Sequence, residues 1–248
     1  MFQSAIKKYL KQHNYSRFDL KAVLFDMDGV LLDSMSHHAI AWVKAMEDFN
    51  LPFTANDAYM KEGRVAHATI NDTFLKNLER EATEQEKEAI YQLKTQYFET
   101  LGTIHKMPYA HELIAQIKDQ GIQILLVTGS SQTSLLESLE EYFPGVFQEE
   151  QMVTAFDVKQ GKPSPEPYLK GLKRSGVHPW EAIVIENAPL GVQSGVAAGL
   201  FTIAINTGPL DADVLLKSGA NVLLEEGMKE LYHHWEDFHQ QTILSDLN

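Results

Sequence analysis

The chain contains no cysteine, no long apolar run and no excess of positive charge. Without cysteine it can form neither disulfides nor thiolate metal sites, which fits a reducing cytoplasm. It also lacks a run of about eighteen apolar residues, and its first residues lack the apolar stretch of a signal peptide. We therefore expect a cytoplasmic protein without a membrane partner.

The 248 residues carry a net charge of −13 at pH 7. This charge repels the backbone of a nucleic acid, and no basic patch reverses it locally, so we expect no nucleic-acid partner. A small phosphorylated substrate would meet the same repulsion unless a bound cation and a few basic side chains reverse the local field. The length fits a core domain with a small accessory domain, and we expect a monomer.

Short apolar runs alternate with helical patterns over most of the chain. Helices are predicted over 134–143 and over 163–174, where proline stands at the start and Gly176 beyond the end. Strands that alternate with helices predict an α/β fold with a Rossmann-like parallel sheet. The predicted strands are 22–25, 122–127, 182–185, 201–205 and, more weakly, 221–224.

Residues 36–106 show helical periods only, directly after the first predicted strand. Thr83 and Glu86 form a capping box at the start of one of these helices. We therefore predict a helical cap of 36–106, inserted into an α/β core of 21–35 and 107–248. Residues 1–20 are expected to be an N-terminal extension and, like the last ten residues, a peripheral tail.

Polar residues follow the predicted strands at the points where sites form in open parallel sheets. Taken alone, each of them is also explained by a turn, a helix cap or a solvated loop. Together they supply a nucleophile, an acid, a hydroxyl, a cation and oxygen ligands for Mg²⁺, as phosphoryl transfer requires. In chain order they are Asp26, Asp28, Gly29, Thr128, Gly129, Ser130, Lys162, Glu186 and Asn187.

Four segments follow one another in the order of the motifs of the haloacid dehalogenase superfamily: FDMDGVLLDS, VTGS, GKPSPEPY and VIENAPLGVQSGVAAG. On these motifs the chain resembles that superfamily over 21–235, and the helical insert is similar to the cap of its β-phosphoglucomutase-like branch. The resemblance implies an enzyme that uses Mg²⁺ as cofactor. Asp26 would bind the metal and act as the nucleophile that becomes transiently phosphorylated.

The resemblance also implies roles for the other motif residues. Asp28 would be the general acid and base, with its backbone carbonyl on Mg²⁺. Thr128 would hold the transferring phosphoryl group beside Gly129 and Ser130. Lys162 would neutralise charge on the nucleophile and on the phosphoryl oxygens.

Two departures from the family pattern concern the metal and the substrate. Asn187 stands where an aspartate ligand is usual, so we expect weaker metal binding or compensation by another carboxylate; Glu186 would lie in or beside the metal shell. Glu62, in the cap, could supply that carboxylate. The family's substrate arginine falls at Ala66, and Arg64 is the arginine nearest to it.

Three functions stay open at this point. The first is a phosphatase or phosphomutase for a small phosphorylated metabolite, in which His38 aligns with the histidine that assists the general acid; the alternative for His38 is a residue on a helix surface. The second is an inorganic pyrophosphatase, because Glu62 and the segments KEGR and VTAFDVKQGKPSPEPY are similar to such members of the branch. The third is an inactive protein that binds a phosphorylated ligand.

Overall fold

The computed structural model describes residues 2–130 and 132–243. The strands in these ranges are β1 (Ala22–Phe25), β2 (Gln123–Val127), β3 (Met152–Val153), β4 (Ala182–Glu186), β5 (Phe201–Ile205) and β6 (Val222–Leu224). The helices are α1 (Phe2–His13), α2 (Met35–Glu47), α3 (Ala55–Met60), α4 (Ala66–Leu78), α5 (Glu84–Glu99), α6 (Ala110–Asp119), α7 (Thr133–Tyr142), α8 (Glu166–Ser175), α9 (Pro189–Ala197), α10 (Ala212–Lys217) and α11 (Met228–Ile243).

In the described chain the strands form one parallel sheet in the order β3-β2-β1-β4-β5-β6. This arrangement confirms the predicted α/β fold. The chain winds to one side of β1 through β2 and β3, and to the other side through β4, β5 and β6. The carboxyl ends of β1 and β4 therefore lie where the winding direction reverses, which is the place where open α/β sheets bind ligands.

The predicted strands are all present, with bounds that shift by at most one residue at either end. β3 was not predicted, because a strand of two residues leaves no usable apolar pattern. α8 begins three residues later than the predicted helix: the segment from Lys162 to Pro165 forms a turn, in which the Ser164 amide donates to the Gly161 carbonyl.

Helices α2 to α5 lie between β1 and α6 in the chain and have an apolar cluster of their own. This cluster is built around Met46, Ile70, Phe74 and Ile90, which are at most 2% exposed. α5 begins with the predicted capping box: the Thr83 hydroxyl accepts from an amide at the third helical residue, and the Glu86 carboxylate at that residue accepts from the Thr83 amide. The apolar stripes of these helices thus pack against one another.

The expectation that the N-terminal residues form a peripheral tail is wrong for α1. Ile6, Tyr9 and Leu10 are fully buried and belong to the main apolar core, where α1 packs on α11. The Tyr9 hydroxyl donates to the carbonyls of Pro179 and Gly199, at 3.1 and 2.9 Å, and so ties α1 to the core.

The C-terminal tail was also predicted too long. Residues 239–243 of this predicted tail belong to α11, in which Thr242 is fully buried, and 244–248 lie outside the described residues. Among the helices of the described chain, none combines the length and the apolar character needed to cross a membrane.

Candidate active site

Lys162 joins two carboxylates at the carboxyl ends of neighbouring strands. Its ammonium donates to Asp26 Oδ1 at 2.5 Å and to Glu186 Oε1 at 2.6 Å, and also to the Val127 carbonyl at 3.0 Å. Asp26 follows β1 and Glu186 ends β4, so the parallel pairing of these strands places both carboxylates side by side. Burial opposes the charge of Lys162, but the surrounding carboxylates outweigh it and raise the pKa of the ammonium.

Glu62 reaches this group from the turn after α3. Ligand oxygens of Asp26, Glu62 and Glu186 lie within 4.8 Å of one another. We call these three carboxylates and Lys162 the ion cluster. Burial, followed by the charges of Asp26 and Glu186, raises the pKa of Glu62 well above its ordinary value. The pKa of Asp26 is likewise raised, first by burial and then by Glu186 and Asp28, although Lys162 opposes the shift.

The ion cluster fits a divalent cation. Among the described residues in and next to the ion cluster, three buried side-chain oxygens have no hydrogen-bond partner: Asp26 Oδ2, Glu62 Oε2 and Asn187 Oδ1. An unpaired buried oxygen is costly, and these three are of the type that Mg²⁺ prefers. With all three carboxylates ionised, the cluster carries two uncompensated negative charges, which a single divalent ion would balance.

Asp28 leads into a second line of polar side chains. Its Oδ1 accepts hydrogen bonds from the Ser34 hydroxyl at 2.5 Å and from His38 Nε2 at 3.0 Å. The other ring nitrogen of His38 lies 2.8 Å from Lys94 Nζ, which in turn donates to Gln132 Oε1. We call Asp28, His38, Lys94 and Gln132 the polar chain. It runs from the sheet edge through α2 and α5 to the start of α7.

Burial lowers the pKa values of the two basic side chains of the polar chain, Lys94 and His38. It lowers the pKa of Lys94 to about 7, and together with the charge of Lys94 it lowers that of His38. Burial alone would raise the pKa of Asp28, but the charge and hydrogen bond of His38, followed by the Ser34 hydrogen bond, hold it below its ordinary value. Asp28 is therefore ionised at neutral pH, beside groups that can exchange a proton.

The loop after β2 presents polar atoms beside the ion cluster. Thr128 is buried, its amide donates to the Val153 carbonyl, and its hydroxyl accepts from the Ser130 amide at 3.0 Å. A side chain at Gly129 would collide with the backbone of Gly63, so the glycine lets the turn that carries Glu62 approach this loop closely.

A cavity of about 320 Å³ extends from Asp28 into the helical segment. Its wall is mixed: basic and acidic side chains stand beside aromatic ones. Besides Asp28, the wall includes His38, Trp42, Glu62, Tyr91, Lys94 and Phe156. Of the ion cluster, Glu62 lines the cavity. All four residues of the polar chain line it.

Arg64 lies at the wall of the same cavity, but its guanidinium is already paired. It donates to the carboxylate of Asp72 in α4, which also accepts from Lys61 at 3.4 Å. The structure therefore brings together all the residues predicted for the site, with Arg64 held at the cavity wall by the Asp72 carboxylate.

Four residues with a clear place in the site were not predicted. Ser34, Lys94 and Gln132 connect to Asp28 or His38 through the hydrogen bonds above. Tyr168 lies in α8 and donates to Glu186 Oε1 at 2.8 Å. A signal for Tyr168 was present in its position within the GKPSPEPY segment, whereas Lys94 has no local sequence feature that separates it from a surface lysine.

Comparisons with known proteins agree with this geometry. The sequence model of haloacid dehalogenase-like hydrolases matches residues 20–199. A phosphorylated carbohydrates phosphatase of Thermotoga maritima is 30% identical over 213 residues, which are 83% of this chain and 94% of the relative. The β-phosphoglucomutase of Bacillus subtilis is 25% identical over 88% of this chain and 97% of its own length.

The same likeness appears among solved structures. A structure from Bacteroides vulgatus, described as a candidate β-phosphoglucomutase, superposes with a TM-score of 0.94 at 51% identity, covering 97% of this chain and 98% of the other. The chain belongs to the haloacid dehalogenase-like hydrolases. It is an enzyme of the phosphohydrolase or phosphomutase type that its motifs predicted.

Proposed function

We propose that this enzyme transfers a phosphoryl group from a small phosphorylated substrate to Asp26 and then releases it. One observation carries the proposal: Asp26 has one carboxylate oxygen on Lys162 and the other buried without a partner, with Asp28 two residues away. Lys162 orients the first oxygen, which can then approach phosphorus, and the second oxygen is free to bind a metal. A carboxylate fixed in this way can act as a covalent nucleophile.

Mg²⁺ is the cofactor we propose, held by Asp26, Glu62 and Asn187 through their unpartnered oxygens. The Asp28 backbone carbonyl would be a further ligand, as the family resemblance implies. When bound, the ion would neutralise charge on the carboxylates and on the substrate phosphate. Glu62 would then replace the negative charge that the family pattern places at position 187.

Asp28 is proposed as the proton-transfer residue. Its ionised carboxylate, oriented by Ser34 and His38, can take a proton from the water that attacks the phosphorylated Asp26. In the preceding half-reaction it would pass to the leaving oxygen a proton received through His38, whose other ring nitrogen contacts Lys94. We place Thr128, Gly129 and Ser130 around the transferring phosphoryl group.

We further propose that residues 36–106 act as a cap over a core of 21–35 and 107–248. The close contact between Gly63 and Gly129 supports this, because the turn that bears Glu62 covers the nucleophile. Such a cover excludes water during transfer. The monomeric state and the cytoplasmic location stay predictions.

A phosphorylated sugar is the first candidate substrate. The cavity beside Asp28 could take a leaving group of that size, since pockets for small ligands begin at about 300 Å³. The Thermotoga and Bacillus relatives are a carbohydrate-phosphate phosphatase and a sugar-phosphate mutase by name.

Inorganic pyrophosphate is the second candidate, and Glu62 favours it. The Glu62 carboxylate, which comes from the proposed cap, lies within 4.8 Å of the ligand oxygens of Asp26 and Glu186. It therefore closes the site around a very small substrate. Arg64 is paired with Asp72, so it is not free to bind a second phosphate group of a sugar.

The test is a phosphate-release assay with Mg²⁺, in which pyrophosphate is compared with a panel of hexose phosphates. We expect turnover that requires Mg²⁺ and is lost in Asp26→Asn. A pyrophosphate preference would select the second candidate and a sugar-phosphate preference the first. A folded protein without turnover of any of these substrates would contradict the proposal and favour an inactive binding protein.

A further inference from the structure

Tyr168 lies in α8 directly against the ion cluster. Its side chain is fully buried, and its hydroxyl donates to Glu186 Oε1 at 2.8 Å. The Lys162 ammonium stands over its ring, 5.1 Å from the ring centroid. One aromatic side chain therefore contacts both partners of the ion pair that supports Asp26.

Glu186 has no acceptor position left for another strong partner. Its Oε1 accepts from Lys162 and Tyr168, and its Oε2 accepts from the amides of Asn187 and Ala188, at 3.0 and 3.3 Å. A carboxylate offers about four lone-pair positions, and here four donors occupy them. The unpartnered oxygens of the site belong instead to Asp26, Glu62 and Asn187.

The carboxylate of Glu186 is also confined sterically. A side chain at Gly191, in the first turns of α9, would overlap it, so the α9 backbone passes directly beside the carboxylate. The Tyr168 hydroxyl holds Oε1 of the same carboxylate through its hydrogen bond. Glu186 is thus fixed in one orientation by α8 and α9.

We propose that Tyr168 is a positioning residue: through Glu186, it holds the Lys162 ammonium against Asp26 and the transferring phosphoryl group. The inference rests on the function proposed for Asp26 and Lys162. The hydroxyl donates to Glu186 and so weakens the attraction of this carboxylate for Lys162. Lys162 is therefore shared between Glu186 and Asp26. Without the hydroxyl, Glu186 Oε1 would attract Lys162 more strongly and draw the ammonium away from Asp26.

Tyr168→Phe tests this, because it removes the hydroxyl and keeps the ring. Tyr9→Phe is the matched control: Tyr9 is equally buried, also loses hydroxyl hydrogen bonds, and lies in α1 away from the ion cluster. We expect kcat of Tyr168→Phe to fall at least fivefold, while KM and the half-saturating Mg²⁺ concentration change less than twofold. Tyr9→Phe should keep kcat within twofold at a comparable loss of thermal stability.

A second measurement does not depend on turnover. Beryllium trifluoride, a tetrahedral analogue of a phosphoryl group on a carboxylate, is titrated in the presence of Mg²⁺ and followed by ¹⁹F NMR. We expect its half-saturating concentration to rise at least fivefold in Tyr168→Phe and to stay within twofold in Tyr9→Phe.

The positioning role is overturned if the two variants behave alike in this titration, or if the kcat loss of Tyr168→Phe comes with an equal rise in the Mg²⁺ requirement. The wild type could bind beryllium trifluoride and yet release no phosphate from any substrate. The proposed function would then fail, and the beryllium trifluoride titration alone would test the positioning role of Tyr168. A wild type that binds no fluoride overturns the role of Tyr168 as well.

Discussion

The ion cluster and the polar chain lie side by side at the same sheet edge, yet they differ in how charge is held. In the ion cluster, three carboxylates surround one ammonium, and the pKa of that ammonium is raised. In the polar chain, a carboxylate, an imidazole and an amine follow one another, and burial lowers the pKa of the amine to about 7.

This difference separates two tasks within one site. Lys162 keeps its proton at any pH near neutrality, because the carboxylates around it stabilise its charge. Lys94 is not surrounded by carboxylates in this way, and burial lowers its pKa to about 7. It can therefore give up its proton at physiological pH. The ion cluster is therefore suited to holding a metal and a phosphoryl group, and the polar chain to moving protons.

Asp26→Asn should have the largest effect, because it removes the nucleophile of the ion cluster while it keeps the shape. We expect phosphate release to fall by at least about 10³-fold, since removal of a catalytic nucleophile can cost about 10⁶-fold in kcat. Steady-state assays with saturating Mg²⁺ would measure it. An unchanged circular dichroism spectrum serves as the control for folding, and activity within tenfold of the wild type would contradict the assignment.

Asp28→Asn removes the carboxylate of the polar chain and should lower kcat less than Asp26→Asn does. General acid and base catalysis contributes roughly 10²–10⁴-fold, so we expect kcat to fall by about 10²-fold or more. Since the ion cluster is intact in this variant, the Mg²⁺ requirement should change little. A large rise in the half-saturating Mg²⁺ concentration, with kcat preserved, would place Asp28 in the metal site only.

Glu62→Gln changes the carboxylate that reaches the ion cluster from the turn after α3. If Glu62 binds the metal, the half-saturating Mg²⁺ concentration should rise about tenfold, equivalent to about 1.4 kcal/mol. Glu88→Gln is the control, since Glu88 is a largely exposed carboxylate at the wall of the same cavity. Equal Mg²⁺ titrations of the two variants would contradict Glu62 as a metal ligand.

Lys94→Met should have the smallest effect, on the pH dependence of stability. Between pH about 7 and 10.5 the unfolded chain binds the Lys94 proton and the folded chain does not, so the free energy of unfolding rises with pH across that window. One proton contributes at most about 1.4 kcal/mol per pH unit. Denaturant unfolding at pH 7, 8 and 9 should show a shallower rise in Lys94→Met than in the wild type.

The control for this effect is Lys76→Met, which removes a mostly exposed lysine of α4. Its stability should rise with pH as steeply as that of the wild type. Equal slopes in Lys94→Met and Lys76→Met would contradict the lowered pKa of Lys94.

The two groups also differ in how far sequence could predict them. The ion cluster residues of the sheet edge directly follow apolar runs or precede a helix, so short-range patterns located Asp26, Lys162 and Glu186. Glu62 was proposed because Asn187 is neutral where the family pattern has an aspartate. The structure places a carboxylate oxygen of Glu62 within 4.8 Å of the ligand oxygens of Asp26 and Glu186. The assignment of Glu62 as a metal ligand stays a prediction.

The polar chain was predicted only in part, because its contacts depend on packing between distant segments. Lys94 lies mid-helix and meets His38 across 56 residues of sequence. α1 was missed for another reason: its apolar residues Phe2, Ile6, Tyr9 and Leu10 have helical spacing, but they stand among lysines and glutamines in the first residues of the chain. Their partner is the apolar face of α11, at the far end of the sequence.

The most direct test is chemical trapping of the phosphorylated enzyme. Asp28→Asn, in which hydrolysis of the intermediate should be slow, is mixed with the substrate selected by the phosphate-release assay, denatured and treated with borohydride, which reduces an aspartyl phosphate to homoserine. Peptide mass spectrometry should then find homoserine at position 26. Modification at another residue, or none while phosphate is released, would contradict Asp26 as the nucleophile.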